Sequence, residues 1–291
     1  VRLKLLYNPT AGRGRAKRHI DEATAYLRAH GADVDCATSE SAAHLSRLAK
    51  EASESAYDRV VVCGGDGTLN LAVRELDLER GTLALLPFGS GDDFARVTGV
   101  PRDVAGACNV VLRGEAREVD VALANGTRYL GVAGLGFDSE VAKFANERVK
   151  FLRGSAVYFY ATLRILGRFT PRSVRILTPE GERREEIMFA VVGNSRQYGG
   201  GVRIVPDAVI DDGVLDLCIV HKTSRFQLVK TLPLAYSGAH VKSPFVETGR
   251  VTEIRFEHQG APMDVYADGE RITETPVQFG LAEKKLKFVM P

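Results

Sequence analysis

"VVVCGGDGTLNLAV", residues 60–73, leads four residues suited to a buried strand into a turn with three glycines around one aspartate, Asp66. The β-branched run ends at the glycines, and the helical pattern beyond them continues to Leu76. Strand, glycine turn and helix together form the repeating step of a parallel sheet. The same alternation extends on both sides. Strands are predicted at Leu3–Tyr7, Asp33–Cys36, Arg59–Cys63 and Leu83–Leu86. Helical patterns cover Arg15–Ala29 and Ala42–Ser53 and recur near Phe94 and over Val104–Leu112. Short apolar strands alternating with helices predict a mostly parallel sheet covered on both faces.

After Val119 the character changes. Alternating segments such as "SVRILT", "IMFAVVG", "VLDLCIV", "VTEIRFEH" and "MDVYADGERIT" dominate, joined by Gly, Pro and Asp turns. These predict antiparallel sheet, a sandwich or flattened barrel, with helical interruptions near Ser139–Asn146, Ala156–Leu166 and Arg225–Ser237. "TPEGERREE", residues 178–186, is expected at a hairpin tip. A chain of 291 residues fits two domains, set here at 1–119 for the α/β domain and 120–291 for the β domain.

Composition is that of ordinary globular material, and a net charge of +2 gives no support for a nucleic-acid partner. No stretch approaches the roughly 20 apolar residues needed to cross a bilayer. The opening Val1–Leu6 alternates like a strand and lacks the apolar core of a signal peptide. Cys36, Cys63, Cys108 and Cys218 show no CxxC spacing, and the histidines show no metal-ligand spacing. A cytoplasmic, reduced setting is therefore expected.

In open parallel sheets ligands bind beyond the carboxyl ends of the strands. Three loops fall there: "NPTAGRGRAK" (8–17), "GGDGT" (64–68) and "PFGSGDDFAR" (87–96). Their glycines let backbone N–H groups approach oxygen closely, and each loop opens a helix whose dipole favours negative charge. Arg13, Arg15, Lys17 and Arg18 add cations at the first loop. Phosphate is the economical ligand, and Asp66 among such groups calls for a divalent cation to bridge it to the phosphates. A tight turn would also account for Gly64–Thr68, and a turn with an Asp N-cap for Gly89–Asp93. A dinucleotide fingerprint is incomplete because Lys17 stands where the third glycine belongs, and no Walker A sequence is present.

Together these segments resemble the soluble diacylglycerol kinase catalytic-domain family of lipid kinases, over nearly the whole chain. "NPTAG", "GGDGTLN" and "PFGSGDDFAR" are similar to its nucleotide loops. "GLGFDSEV" (134–141), "YGGGVRIVPDAVIDDGVLDL" (198–217) and "ADGE" (267–270) follow in the family's order. GGDGT is shared with NAD kinases, whereas the Tyr-Gly-Gly-Gly to Asp-Asp-Gly stretch points to the lipid branch.

The resemblance implies a Rossmann-like α/β domain followed by an antiparallel β-sandwich, using ATP and Mg2+ to phosphorylate a lipid hydroxyl, diacylglycerol foremost. It places nucleotide contacts at Asn8, Pro9, Thr10, Gly12, Arg13, Arg15, Gly64, Gly65, Asp66, Gly67, Thr68, Gly89, Ser90, Asp92 and Asp93. Asp66 and Asp93 would serve the metal, Asp268 would be the general base, and Glu270 would support metal or orientation at the same site. A second, structural Mg2+ would sit on the Asp212 side chain with the carbonyls of Val209 and Val214. Without the resemblance, Asp268–Gly269 is equally a type I′ turn.

Departures from the family pattern are Leu71, Arg74 and Asp92, the last adding a negative charge near expected phosphates. They leave open a catalytically idle nucleotide- or lipid-binding regulator, while the shared GGDGT leaves open a NAD kinase-like small-molecule kinase. From Lys143 to Arg175, the basic residues Lys143, Arg148, Lys150, Arg153, Arg164, Arg168, Arg172 and Arg175 meet only Glu147. The aromatic and aliphatic stretch between them suits an interfacial helix at the lipid entrance, or a core helix with a solvated flank. The expected setting is peripheral, at an anionic membrane's inner face, with a homodimer left open.

Overall fold

The structure, a computed structural model, describes residues 1–149 and 155–291. It separates into two compact units, Val1–Val121 with Ala282–Pro291, and Ala122–Leu281.

In the first unit, β1 (Arg2–Tyr7), β2 (Asp33–Thr38), β3 (Arg59–Gly64), β4 (Thr82–Pro87) and β5 (Glu115–Val119) alternate with five α-helices. These are α1 (Arg15–Ala29), α2 (Ala42–Ser53), α3 (Asp66–Glu75), α4 (Asp93–Thr98) and α5 (Val104–Arg113). The six-stranded sheet runs β2-β1-β3-β4, then the C-terminal strand Leu286–Met290, then β5. Residues 60–64 of β3 and 83–87 of β4 are all buried, which explains why these strands read as continuous apolar runs. On α1 the buried residues Ala16, Ile20, Ala23 and Leu27 fall on one stripe, and α1 packs beside α5. Cys63 and Cys108 lie in this core, where burial pushes the Cys108 thiol up to about 12.

The chain's last ten residues depart from the expected division at 119/120. The C-terminal strand pairs in parallel with β4 and antiparallel with β5. The return is fixed by the hydrogen bond from Ala282 N–H to the Val121 carbonyl (2.8 Å) and by the Lys285–Asp120 ion pair (2.9 Å). Both sheets accept an apolar strand, so "LKFVM" alone carries no information about which one it joins.

The second unit contains β6 (Ala122–Ala124), β7 (Thr127–Tyr129), β8 (Val132–Gly136), α6 (Phe137–Arg148), α7 (Ser155–Leu166), β9 (Arg172–Thr178), β10 (Gly181–Gly193) and β11 (Leu215–His221). It continues with α8 (Arg225–Thr231), β12 (Val246–Val251), β13 (Ile254–His258), β14 (Asp264–Ala267), β15 (Glu270–Glu274) and β16 (Val277–Leu281). The strands form one antiparallel sheet in the order β15-β14-β8-β10-β9-β13-β16-β6-β7, with β11 and β12 added beside β10. β10 bends at Ile187–Phe189, pairing with β9 before that point and with β8 and β11 after it. Ala190 and Val192 face the core inside the sheet, while Phe189 and Val191 face the helices. The mixed α/β class and the sandwich-like second half agree with expectation.

Two local expectations shift. Only Pro179–Glu180 turn at the hairpin tip, because residues 181–186 already belong to β10. The helix expected over Arg225–Ser237 stops at Thr231 and passes into a 3-10 turn, Leu232–Tyr236. Pro233 removes a backbone donor there and crowds the preceding turn.

Candidate active site

In the first unit the three glycine loops are knitted into one cluster at the carboxyl ends of β1, β3 and β4. Asn8 opens the first loop, its side-chain oxygen accepting from the Thr10 N–H (3.0 Å) and hydroxyl (2.7 Å). Gly12, at φ +57°, lies so close to the Phe88 carbonyl that a Cβ would fall 1.9 Å from its oxygen. Arg15 donates to the Gly89 carbonyl at 2.9 Å. Gly65 and Gly89 meet backbone to backbone, a Cβ on Gly89 landing 2.4 Å from the Gly65 Cα. Gly64 is pressed against the buried Thr68. The side chain of Arg13 lies outside the described residues.

Two helix starts in this cluster lack a side-chain cap, as does that of α6 after Gly136. α2, α5 and α8 are capped by Ser41, Asp103 and Ser224. α1 and α3 begin after Gly14 and Gly65 and have no side-chain cap. Their first-turn N–H groups form the kind of donor array that binds anions. Gly67 lies in the first turn of α3.

Asp66 and Asp92 bind other parts of the cluster. The Asp66 carboxylate accepts from the N–H groups of Asp93 (3.1 Å) and Phe94 (3.0 Å), so it caps α4 from the neighbouring loop. A carboxylate offers about four acceptor positions, so this role leaves room for a cation. Asp92, buried and at φ +52°, accepts from the Gly89 N–H at 2.8 Å and from Arg102 at 2.9 and 3.2 Å. The negative charge expected to disturb phosphate binding is therefore paired with Arg102, beyond α4. Ser90 is exposed, its carbonyl accepting from Arg102 at 3.5 Å. Leu71 uses its carbonyl to accept from Ser46, and Arg74 is partly buried in α3.

In the second unit, Asp268 and Gly269 both take positive φ (+47° and +89°), as a type I′ turn between β14 and β15 requires. The Asp268 carboxylate accepts from the N–H groups of Gly131 (3.1 Å) and Val132 (3.0 Å), which fixes its orientation. A Cβ at position 131 would fall 2.2 Å from the carboxylate, so any larger residue there would displace Asp268. Glu270 is exposed at the start of β15.

Asp138 and Tyr198 were not singled out from the sequence, although both lie in quoted motifs. The Tyr198 hydroxyl donates to Asp138 at 2.5 Å, and Gly134 leaves room for that carboxylate. Gly199, Gly200 and Gly201 all have positive φ and turn the chain tightly after the tyrosine. The start of β8 thus receives Asp268 at residues 131–132 and Asp138 at residue 134, points roughly 7–10 Å apart at strand rise. Burial raises the Asp138 carboxyl to about 6, while the Tyr198 hydrogen bond holds it down. The folded protein therefore binds this proton more tightly than the unfolded chain, and its stability falls as pH rises from 3.8 to about 6. Tyr198→Phe is expected to move the Asp138 titration above about 6, read by carboxyl-carbon NMR. An unchanged midpoint would show that the phenol does not act on it.

Asp212 is committed elsewhere. It pairs with Arg250 and accepts from the Val214 N–H at 3.3 Å. A cation at this turn would take the place of the exposed Arg250 guanidinium. Val209 is exposed. Beside it, burial raises Asp216 to about 6 against the opposing pull of Arg250, with Asp212 and Asp207 raising it further. Among the described residues no group of three or more His, Cys, Asp or Glu side chains could hold a metal ion. A Mg2+ that keeps its phosphate and water ligands needs only one or two carboxylates, and the Asp66 carboxylate lies against the Asp93 N–H.

Of the basic run 143–175, Lys150 and Arg153 lie outside the described residues. Lys143 pairs with Asp264, Arg172 with Glu140, and Arg175 with Glu182 and Glu257. Asp264 and Glu257 come from strands 121 and 82 residues away in the chain, so counting local acids underestimates neutralisation. Among the described residues no helix is long and apolar enough to cross a membrane.

Comparison with known proteins adds the following. Residues 2–124 match the diacylglycerol kinase catalytic domain, and residues 131–290 match the YegS C-terminal NAD kinase beta sandwich-like domain. The chain is 33% identical to a diacylglycerol kinase of Mycobacterium tuberculosis (strain ATCC 25618 / H37Rv) over 98% of its length and 94% of that protein's. It is 28% identical to a diacylglycerol kinase of Bacillus subtilis (strain 168), over 100% and 96% of the two chains. A solved Bacillus anthracis str. Sterne structure, described provisionally as a diacylglycerol kinase, superposes with a TM-score of 0.83 at 26% identity, covering 100% and 97% of the two chains.

Proposed function

Since this chain belongs to the diacylglycerol kinase catalytic-domain family, we propose that it transfers the γ-phosphoryl group of ATP, with Mg2+, to a membrane lipid hydroxyl, diacylglycerol foremost. The observation that carries the proposal is the pair of uncapped helix starts at Gly14 and Gly65, set among three glycine loops beside Asp66.

Phosphoryl transfer needs positioning, charge stabilisation and an acceptor for the hydroxyl proton. The N–H groups opening α1 and α3 bind phosphate oxygens, and Arg15 is held over the third loop by the Gly89 carbonyl. Mg2+, when bound, neutralises charge on the phosphates, and Asp66 with Asp93 would hold it. Asp268 takes the proton as the lipid oxygen bonds to the γ-phosphorus and the bond to the β,γ-bridging oxygen breaks, releasing ADP. Its two backbone donors keep one carboxylate orientation through the cycle, and Glu270 follows it on the same hairpin. The reaction is proposed at the inner face of the membrane.

The test supplies the purified chain with γ-labelled ATP and Mg2+, and with either diacylglycerol micelles or NAD. Label in phosphatidic acid is the expected result. Label in NADP would favour the small-molecule kinase, and ATP binding without a labelled product would favour the idle regulator.

A further inference from the structure

Most side chains of α8 and the 3-10 turn after it divide cleanly between two environments. Leu228 is buried and Leu232 packs against the core formed with α6 and α7, which anchors the segment. Phe226 is 78% exposed and Tyr236 55%, with Val229 and Leu234 also open to solvent. Phe226 and Val229, three positions apart, share the outward side of the helix. Among the described residues, most of the large apolar side chains left exposed by the second unit lie within these eleven residues.

The charge carried by this stretch of chain has one sign. From Leu217 to Val246 there is no Asp or Glu, while Arg225, Lys230 and Lys242 are present. Those three are exposed and form no ion pair with any described residue, whereas Lys222 at the margin is tied to Glu186. Arg203, also exposed, is brought beside the turn by its N–H bond to the Ala235 carbonyl (2.9 Å). Aromatic and aliphatic side chains among unneutralised cations are complementary to an anionic lipid surface, where rings enter the headgroup layer and cations meet phosphates. A second copy of the chain docked symmetrically on this patch would oppose Arg225 and Lys230 to like charges, which disfavours self-association.

The geometry points to α8 and its following turn as the surface by which the protein rests on an anionic bilayer. This deepens the proposed function, on which it rests, by identifying the part of the chain that meets the membrane holding the lipid acceptor.

The experiment compares the full chain with two variants, Phe226→Ser/Tyr236→Ser and Arg225→Glu/Lys230→Glu. Co-sedimentation is measured with phosphatidylglycerol vesicles and with phosphatidylcholine vesicles. Activity is measured on diacylglycerol in the first vesicles and on water-soluble dihexanoylglycerol. Expected are parent binding to the anionic vesicles only, and at least about tenfold weaker binding by each variant. Phosphorylation of vesicle-borne diacylglycerol should fall in parallel. Turnover of the soluble substrate should stay within about twofold, which also reports that the variants fold. Variants that sediment like the parent, or a parent that ignores anionic vesicles, would overturn the inference. So would a parent dimer that both variants convert to monomer without loss of vesicle binding. If the parent phosphorylates neither substrate, the kinase proposal fails while sedimentation still decides the surface.

Discussion

Asp268→Asn is expected to lower kcat by about 10²- to 10⁴-fold, the range that a positioned proton acceptor contributes, while ATP affinity changes little. Two effects act together. The amide cannot accept the hydroxyl proton, and it cannot reproduce the geometry of the carboxylate. Asp268 offers both oxygens to the N–H groups of Gly131 and Val132, whereas asparagine has one acceptor and would turn an NH2 toward the second donor. The nucleotide loops belong to the other unit of the fold, so their phosphate-binding donors keep their arrangement. Steady-state kinetics with diacylglycerol, paired with calorimetric titration of an ATP analogue, separates the two quantities. Undiminished turnover would remove Asp268 from the mechanism. Equal loss of turnover and nucleotide binding would make its role structural.

Arg102→Ala is expected to destabilise the first unit by about 2–3 kcal/mol. Breaking a buried ion pair usually costs roughly 3–5 kcal/mol, and solvent around the partly exposed guanidinium reduces that figure here. The Asp92 side chain is fully buried while Arg102 is 37% exposed, so the substitution strands the carboxylate. A fall in Tm of about 5 °C or more is the corresponding calorimetric signal. Adding Asp92→Asn to the same chain should recover most of the loss, because the amide removes the charge yet still accepts from the Gly89 N–H. A double variant as unstable as Arg102→Ala alone would show that the cost comes from lost packing instead of charge. The pair bears on function because it closes the Gly89–Asp92 turn, which presses against Gly65. Loosening it should also weaken ATP binding.

Periodic patterns made much of this protein legible. β3 and β4 are buried along nearly their whole length and α1 buries one stripe, so each element announced itself through local side-chain chemistry. The glycine loops were equally visible, since only glycine tolerates the approaches at Gly12 and Gly89. Contacts between distant segments were not visible. Asp66 reads locally as a metal-facing acid, whereas its cap on α4, 27 residues away, has no local signature. Asp92 appeared as an unfavourable charge until Arg102 was found beside it. Asp138 and Tyr198 lie 60 residues apart, and only the strand order of the second unit brings them together.

By itself the sequence determined the class of the fold, the strand-to-helix turns that carry the phosphate-binding donors, and the candidate acids, because these depend on periodicity and backbone freedom within a few residues. The tertiary structure alone decided which sheet receives the last strand, which carboxylates are neutralised or capped, and which apolar side chains of α8 remain uncovered. Those outcomes depend on through-space pairing of segments that many strands of similar composition could satisfy, and only the packed chain selects among them.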